Sequence, residues 1–424
     1  MAAALKTAAS VALALLLAAC GGVPTPSASL LNARCPDPIA NPEAPMPQGR
    51  NVFVMSSSLP DCRGDILSFA KFRNHGGLPG SNGRIVNHGI TTLAGPAQEP
   101  WDDQRTTFYA QDAWQEILAR QVNRESNGSR LFVYIHGYNN DFEDVLEYAA
   151  VLADLDGTGA PVLAVAWPSR NRVQSYPDDE ASIAWAQDYI TDLLEQVAGA
   201  AGDITLVSHS MGARALIEAV KRIEDRDPVK AGHIRRAILV SPDIDRHQVL
   251  RSGGDLDQML QSGRQVLVYT SRSDFPILAS RVVHGYTRLG SSDCSFDVDY
   301  ERREGGPMGN CHWTQARENF EIVETSRTTF STGLRHSDVF DTCAGRHDLR
   351  TFLRGRLERS DYPWRIYDPE NTGAGTAITA DYFEGNEALC AEVDFYGDLD
   401  DPHRELTRIP AGPRQKSSSR QAVH

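Results

Sequence analysis

The sequence predicts an α/β protein built on an open, mostly parallel central sheet with helices on both faces. Three observations lead there. Short apolar runs that read as buried strands recur at residues 131–135, 161–167, 204–207, 234–240, 265–270 and 320–325. The stretches between the earlier runs have helical spacing and are long enough for parallel crossovers. The polar motifs capable of chemistry follow the ends of these runs, where open α/β sheets place their ligands.

Composition fits this class. The chain has 424 residues, 41% hydrophobic and 23% charged, which is ordinary for a globular protein with a sizeable core. The formal charge is −14, and no basic cluster is long enough to follow a phosphate backbone, so nucleic acid is not an expected partner. No internal repeat is visible.

The first segment reads as an address. Lys6 precedes an apolar run at 11–19 that is too short to span a bilayer, the shape of a signal peptide over residues 1–19. It ends Leu17-Ala18-Ala19-Cys20-Gly21, which resembles a bacterial lipobox. The resemblance implies lipidation at Cys20, and Gly21 in place of aspartate implies the outer membrane, facing the periplasm. The membrane is therefore an expected partner through an N-terminal lipid anchor. Residues 20–50, rich in Pro, Ala and Asn, read as a flexible tether. Six further cysteines, Cys35, Cys62, Cys294, Cys311, Cys343 and Cys390, suit an oxidising compartment. Proximity along the chain pairs them Cys35–Cys62, Cys294–Cys311 and Cys343–Cys390. None has C-x-x-C spacing, so no metal site is expected.

The folded domain is expected over 51–360. Residues 51–55 and 84–92 read as strands and 108–122 as a helix. The strand at 131–135 runs into His136-Gly137-Tyr138-Asn139-Asn140, followed by a helix to about residue 154. The strand at 161–167 ends at Pro168-Ser169, and a long helix covers 181–197. After the strand at 204–207 come the strand at 234–240, ending Ser241-Pro242-Asp243-Ile244-Asp245, and the strand at 265–270, ending Ser271-Arg272-Ser273-Asp274. The last strand, 320–325, is followed by the short loop His336-Ser337-Asp338. Between these two strands, residues 291–319 form a polar insertion that a Cys294–Cys311 bridge would close over the site. Residues 361–424 read as a C-terminal extension whose tail is disordered.

The chemistry centres on Ser208-His209-Ser210-Met211-Gly212. Strand, sharp turn and helix are the context of a nucleophile elbow, with small residues needed two positions either side of the serine. Gly212 meets that need, and Ser208 stands where glycine is usual. A serine hydroxyl requires a base to take its proton and a carboxylate to orient that base. In the order Ser…Asp…His, Ser210, Asp274 and His336 fit. Asp243 is the alternative acid, with Asp245 beside it. His209, His284, His312 and His347 are the other candidate bases. An oxyanion needs two N–H donors: the Met211 amide, and Tyr138 or Asn139 from the loop after His136. His136 itself reads as a structural residue of that loop.

These pieces together resemble DUF900, a bacterial family of uncharacterised alpha/beta hydrolases. The resemblance rests on Tyr134-Ile135-His136-Gly137-Tyr138-Asn139, Trp167-Pro168-Ser169, Ser208-His209-Ser210-Met211-Gly212, Ser241-Pro242-Asp243-Ile244-Asp245 and Tyr269-Thr270-Ser271-Arg272-Ser273-Asp274. Arg288-Leu289-Gly290 and His336-Ser337 are similar to its later landmarks. It implies the alpha/beta-hydrolase fold; substrate is not implied, since fold alone does not fix function. The expected activity is that of a serine hydrolase acting on carboxylic esters, small or lipid, with no cofactor. The competing expectation is a catalytically silent scaffold that binds or assembles envelope components.

Overall fold

A computed structural model describes residues 25–63, 67–76, 83, 85–93, 105–124, 128–294, 302–306, 309–311, 317–328, 334–367, 375–383 and 387–393. The signal peptide, Cys20, His312 and the tail from residue 413 lie outside the described residues. Eleven strands form one sheet. In chain order they are β1 (Arg50–Ser56), β2 (Asn87–Leu93), β3 (Arg105–Tyr109), β4 (Arg130–Ile135), β5 (Val162–Ala166) and β6 (Asp203–His209). β7 (Ile234–Val240), β8 (Gln265–Thr270), β9 (Phe320–Glu324), β10 (Arg365–Tyr367) and β11 (Gly375–Ile378) complete it. The spatial order is β10-β11-β9-β8-β7-β6-β4-β5-β1-β2-β3. From β11 through β1 every neighbouring pair is parallel. β2, β3 and β10 close the two edges antiparallel.

Alternation along the central strands builds two cores. Leu131, Val133 and Ile135 of β4 and Leu206 of β6 point to one face, against α1 (Gln111–Val122), α3 (Tyr176–Ala198) and α4 (Gly212–Arg226). Phe132, Tyr134 and Val207 point to the other, against α2 (Phe142–Asp156) and α6 (Cys343–Leu353). Strands buried on both faces read as continuous apolar runs, which is why they stood out in the sequence. A further helix, α5 (Phe275–His284), leaves the carboxyl end of β8. Among the described residues no helix is long and apolar enough to cross a membrane.

Three expectations change. Phe108 and Tyr109, expected to start a helix, instead end the strand Arg105–Tyr109. Thr106 and Thr107 are β-branched, and the Thr106 hydroxyl meets that of Thr91 on β2 at 2.9 Å. The segment expected as a tether is held from residue 25 onward: a short helix spans Ala28–Asn32, Leu30 is buried, and Ile39 bridges to Tyr109. The sheet also continues past residue 360, because β10 and β11 extend it beyond β9. The bridges Cys35–Cys62, Cys294–Cys311 and Cys343–Cys390 are all formed, as expected from proximity. Cys294 and Cys311 are buried in the α3/α4-side core, while residues 295–301, 307–308 and 312–316 of the insertion lie outside the described residues.

Candidate active site

The turn between β6 and α4 carries Ser210 at φ +51°, the left-handed region that costs a non-glycine residue about 1–3 kcal/mol. The surroundings hold it there. The Ser210 amide donates to the Val240 carbonyl at 2.9 Å, and the Ser210 carbonyl accepts from the Asp243 amide at 3.0 Å. Gly212 is required by packing: a Cβ there would lie 2.5 Å from the carbonyl oxygens of Ile135 and His136. Ser208, on β6 opposite Ile135, is fully buried, and its hydroxyl has no partner among the described residues. A small side chain fits at that position, with a polar atom left over.

Asp274 is the N-cap of α5, its Oδ1 accepting from the Ile277 amide at 2.9 Å. It is completely buried, and both its oxygens lie 2.9 Å from Nδ1 of His336. A carboxylate only accepts, so Nδ1 carries the proton and Nε2 is left as the acceptor. That Nε2 is buried and has no partner among the described residues. Burial alone would lower the His336 pKa, but the Asp274 charge and hydrogen bond outweigh it and the net shift is upward. The base loop is held to its neighbours. The Phe275 amide donates to the Leu334 carbonyl at 3.1 Å, and Nε2 of His209 meets the His336 carbonyl at 3.1 Å. The rings of His209, the residue before Ser210, and His336 are 4.6 Å apart. The loops carrying Ser210, Asp274 and His336 therefore converge at the carboxyl ends of β6, β8 and β9.

Asp243 is elsewhere occupied. Its oxygens accept from the Ser280 hydroxyl at 2.5 Å, Arg288 Nε at 2.7 Å and Arg214 Nη2 at 3.0 Å, and from the Tyr176 hydroxyl. Burial would raise its pKa, yet Arg214 and Arg288 hold the carboxyl down at about 2. It anchors the loop that receives the Ser210 carbonyl and makes no hydrogen bond to His336 among the described residues. Asp245 caps the short helix Arg246–Leu250. Of the other histidines, His209 supports the His336 loop, His284 lies between the Ser280 carbonyl and Glu180, and His347 meets the Leu389 carbonyl.

The loop after β4 passes directly over the serine. A Cβ on Gly137 would stand 2.7 Å from Cβ of Ser210, so only glycine permits this approach. Nδ1 of His136 meets the Gly137 carbonyl at 2.8 Å, and its ring stacks on Trp167 at 4.6 Å with 4° between planes. Burial pushes its pKa down to about 4, leaving it neutral and structural. The two loop amides considered as oxyanion donors are now distinguishable. The Asn139 amide donates to Asp179 at 3.2 Å, whereas no backbone carbonyl among the described residues accepts from Tyr138 or Met211. Asp179 and Arg214 are neighbours of the site that the sequence did not single out. Asp179 sits in Tyr176-Pro177-Asp178-Asp179, which on its own reads as an ordinary acidic helix start. Among the described residues no three His, Cys, Asp or Glu side chains are grouped to hold a metal ion.

Comparison with known proteins gives the following. No curated protein matches the sequence. An esterase of Pyrobaculum calidifontis aligns with 16% identity and a TM-score of 0.22, over 34% of this chain and 57% of its own. This chain thus spans little more than half the length of that esterase. A putative hydrolase of the alpha/beta superfamily from Xanthomonas campestris aligns with 9% identity and a TM-score of 0.24, over 37% of this chain and 83% of the other. The phospholipase PlaB of Legionella pneumophila aligns with 13% identity and a TM-score of 0.24, over 59% and 67%. The family model described as alpha/beta hydrolase of unknown function, DUF900, matches residues 110–327, and the chain belongs to that family.

Proposed function

We propose that this protein is a serine hydrolase that cleaves carboxylic esters, with Ser210 as nucleophile, His336 as base and Asp274 as the orienting acid. The observation that carries the reading is the buried Asp274–His336 pair, which leaves a bare Nε2 at the carboxyl ends of the strands beside the Ser210 turn. In this mechanism Oγ of Ser210 attacks the ester carbonyl while Nε2 of His336 takes its proton. The amides of Met211 and Tyr138 stabilise the oxyanion. Collapse expels the alcohol, which receives the proton from the imidazolium. Water, deprotonated by the same nitrogen, then cleaves the acyl-enzyme to the free acid and Ser210.

An apolar rim favours a hydrophobic ester. Phe275, next to Asp274, is 61% exposed, and Leu334, two residues before His336, is 66% exposed. Val282, Val283 and Tyr286 continue the exposed apolar surface along and just beyond α5. The silent-scaffold alternative finds its support in the low exposure of Ser210, 3%. Labelling decides between them. The full chain in detergent should react with a fluorophosphonate, and Ser210→Ala should not. A folded wild type that stays unlabelled would move the scaffold reading ahead.

Envelope anchoring belongs to the same proposal. The three disulfides suit an exported protein, and Cys20 follows the apolar segment as a lipidation site would. Cys20→Ala is expected to move the protein from the membrane fraction to the soluble fraction. Unchanged fractionation would argue against the anchor.

A further inference from the structure

We infer that Asp179 is the positioning residue of the oxyanion hole, fixing the peptide that presents the Tyr138 N–H to the nucleophile. This rests on the serine-hydrolase reading. Asp179 is on the first turn of α3, far along the chain from the loop it serves, and it is completely buried. Buried carboxylates require compensation, and this one receives it from the site. Oδ1 accepts from the Arg170 amide at 2.7 Å; Oδ2 accepts from the Ser169 hydroxyl at 2.6 Å and the Asn139 amide at 3.2 Å. The Ser169 oxygen in turn accepts from the Asn140 amide at 3.2 Å. Two consecutive amides, those of Asn139 and Asn140, are thus tied to one carboxylate, directly and through Ser169.

The consequence for Tyr138 follows from peptide planarity. The Gly137 carbonyl and the Tyr138 N–H belong to one planar unit and point in opposite directions. Nδ1 of His136 lies 2.8 Å from the carbonyl end of that unit and its Nε2 3.0 Å from the Trp167 carbonyl, while Asp179 holds the next amide along. Asn139 sits at φ +61°, in the left-handed region that Asn adopts more readily than most residues. With His136 packed at one end and Asp179 bonded at the other, rotation of the peptide is opposed and the Tyr138 N–H is preorganised. Burial opposes the charged form of Asp179, so its net pKa shift is upward despite the three donors. The interaction is therefore maintained against a desolvation cost.

The test is Asp179→Asn in the full chain in detergent, assayed with an activated short-chain aryl ester. One oxygen remains to accept, but an amide group now faces donors. A lost oxyanion donor typically lowers kcat about 10²–10³-fold, and the loss of positioning is expected to approach the lower figure, about 10²-fold. KM should change by less than about twofold, and the pH at which His336 titrates in kcat/KM should not move. Affinity for a trifluoromethyl ketone, which forms the tetrahedral oxyanion, should fall in step with kcat. Ser169→Ala, which removes the link to Asn140 and one donor to Asp179 but leaves the Asn139 bond, should lose about tenfold and provides the test should Asp179→Asn not fold. A reactive wild type matched in kcat by the folded variants overturns the inference alone. So does a loss carried by KM or by a shifted pH limb. A folded wild type that neither labels nor turns over sinks the hydrolase reading, and the inference with it.

Discussion

Replacing Asp274 with asparagine separates orientation of the base from folding. Asn is as good an N-cap as Asp, so its carbonyl can stay in the Oδ1 position and keep the 2.9 Å bond from the Ile277 amide. The NH2 group then occupies the Oδ2 position, 2.9 Å from Nδ1 of His336. Two donors cannot face one another at that distance. Oδ1, also 2.9 Å from Nδ1, stays bonded to the Ile277 amide, and in the tautomer that relieves the clash His336 accepts from the NH2 at Nδ1 and carries its own proton on Nε2, the atom that must receive the Ser210 proton. Tautomer reversal of this kind costs roughly 10⁴-fold in a triad of the same design, or about 5 kcal/mol of transition-state stabilisation. The charge and hydrogen bond that raise the His336 pKa most are lost as well, leaving burial opposed only by the smaller contributions of Asp243 and Asp338. In the wild type, kcat/KM should fall as pH drops through a value above the ordinary imidazole pKa of about 6.5. In Asp274→Asn the residual limb should lie below it. The linkage to stability has the matching sign. The raised pKa of wild-type His336 contributes stability below about pH 6.5 that is lost as pH rises through the folded value. The assay is ester hydrolysis against pH, with thermal melting to verify folding. A folded Asp274→Asn within tenfold of wild-type kcat/KM would refute the assignment.

Two further outcomes test the neighbouring residues. Asp243→Asn removes the partner of buried Arg288 and half-buried Arg214 and should destabilise the protein by about 3 kcal/mol, while the folded fraction keeps its kcat within tenfold. Because the carboxyl is depressed to about 2, its contribution is present above about pH 4 and is lost as pH falls through about 2. Urea titrations of wild type and variant should accordingly differ at pH 7 and converge near pH 2; a large kcat loss instead would return Asp243 to the mechanism. Ser208→Ala removes a buried hydroxyl without a partner among the described residues, and should leave stability unchanged or raise it by about 1 kcal/mol with activity intact. A loss of stability in calorimetry would show that the hydroxyl is bonded after all.

The central strands were legible in the sequence because burial on both faces leaves continuous apolar runs, and β7 and β8 fall where those runs do. The edges were not. β10 and β11 span three and four residues, too few for any period to register. At β3, helical spacing from Trp114 onward drew the expected helix back over Phe108 and Tyr109, which pair with β2 only once the sheet is assembled. The elbow was legible because its requirements are local: a strand, a positive-φ serine, a glycine where a helix must start against a neighbouring strand.

The sequence by itself determined the architecture, the place of Ser210 and the chain order of serine, carboxylate and histidine. These follow from periodicity and turn chemistry acting over a few residues. Only the tertiary structure decided between two carboxylates that each follow a buried strand. Asp243 is taken by Arg214 and Arg288, from two other parts of the chain, and Asp274 is left facing His336. Only the tertiary structure, likewise, brought Asp179 of α3 to the loop after β4, forty residues away along the chain. Charge pairing and the satisfaction of buried amides act through space, and their partners become neighbours only when the sheet closes its crossovers.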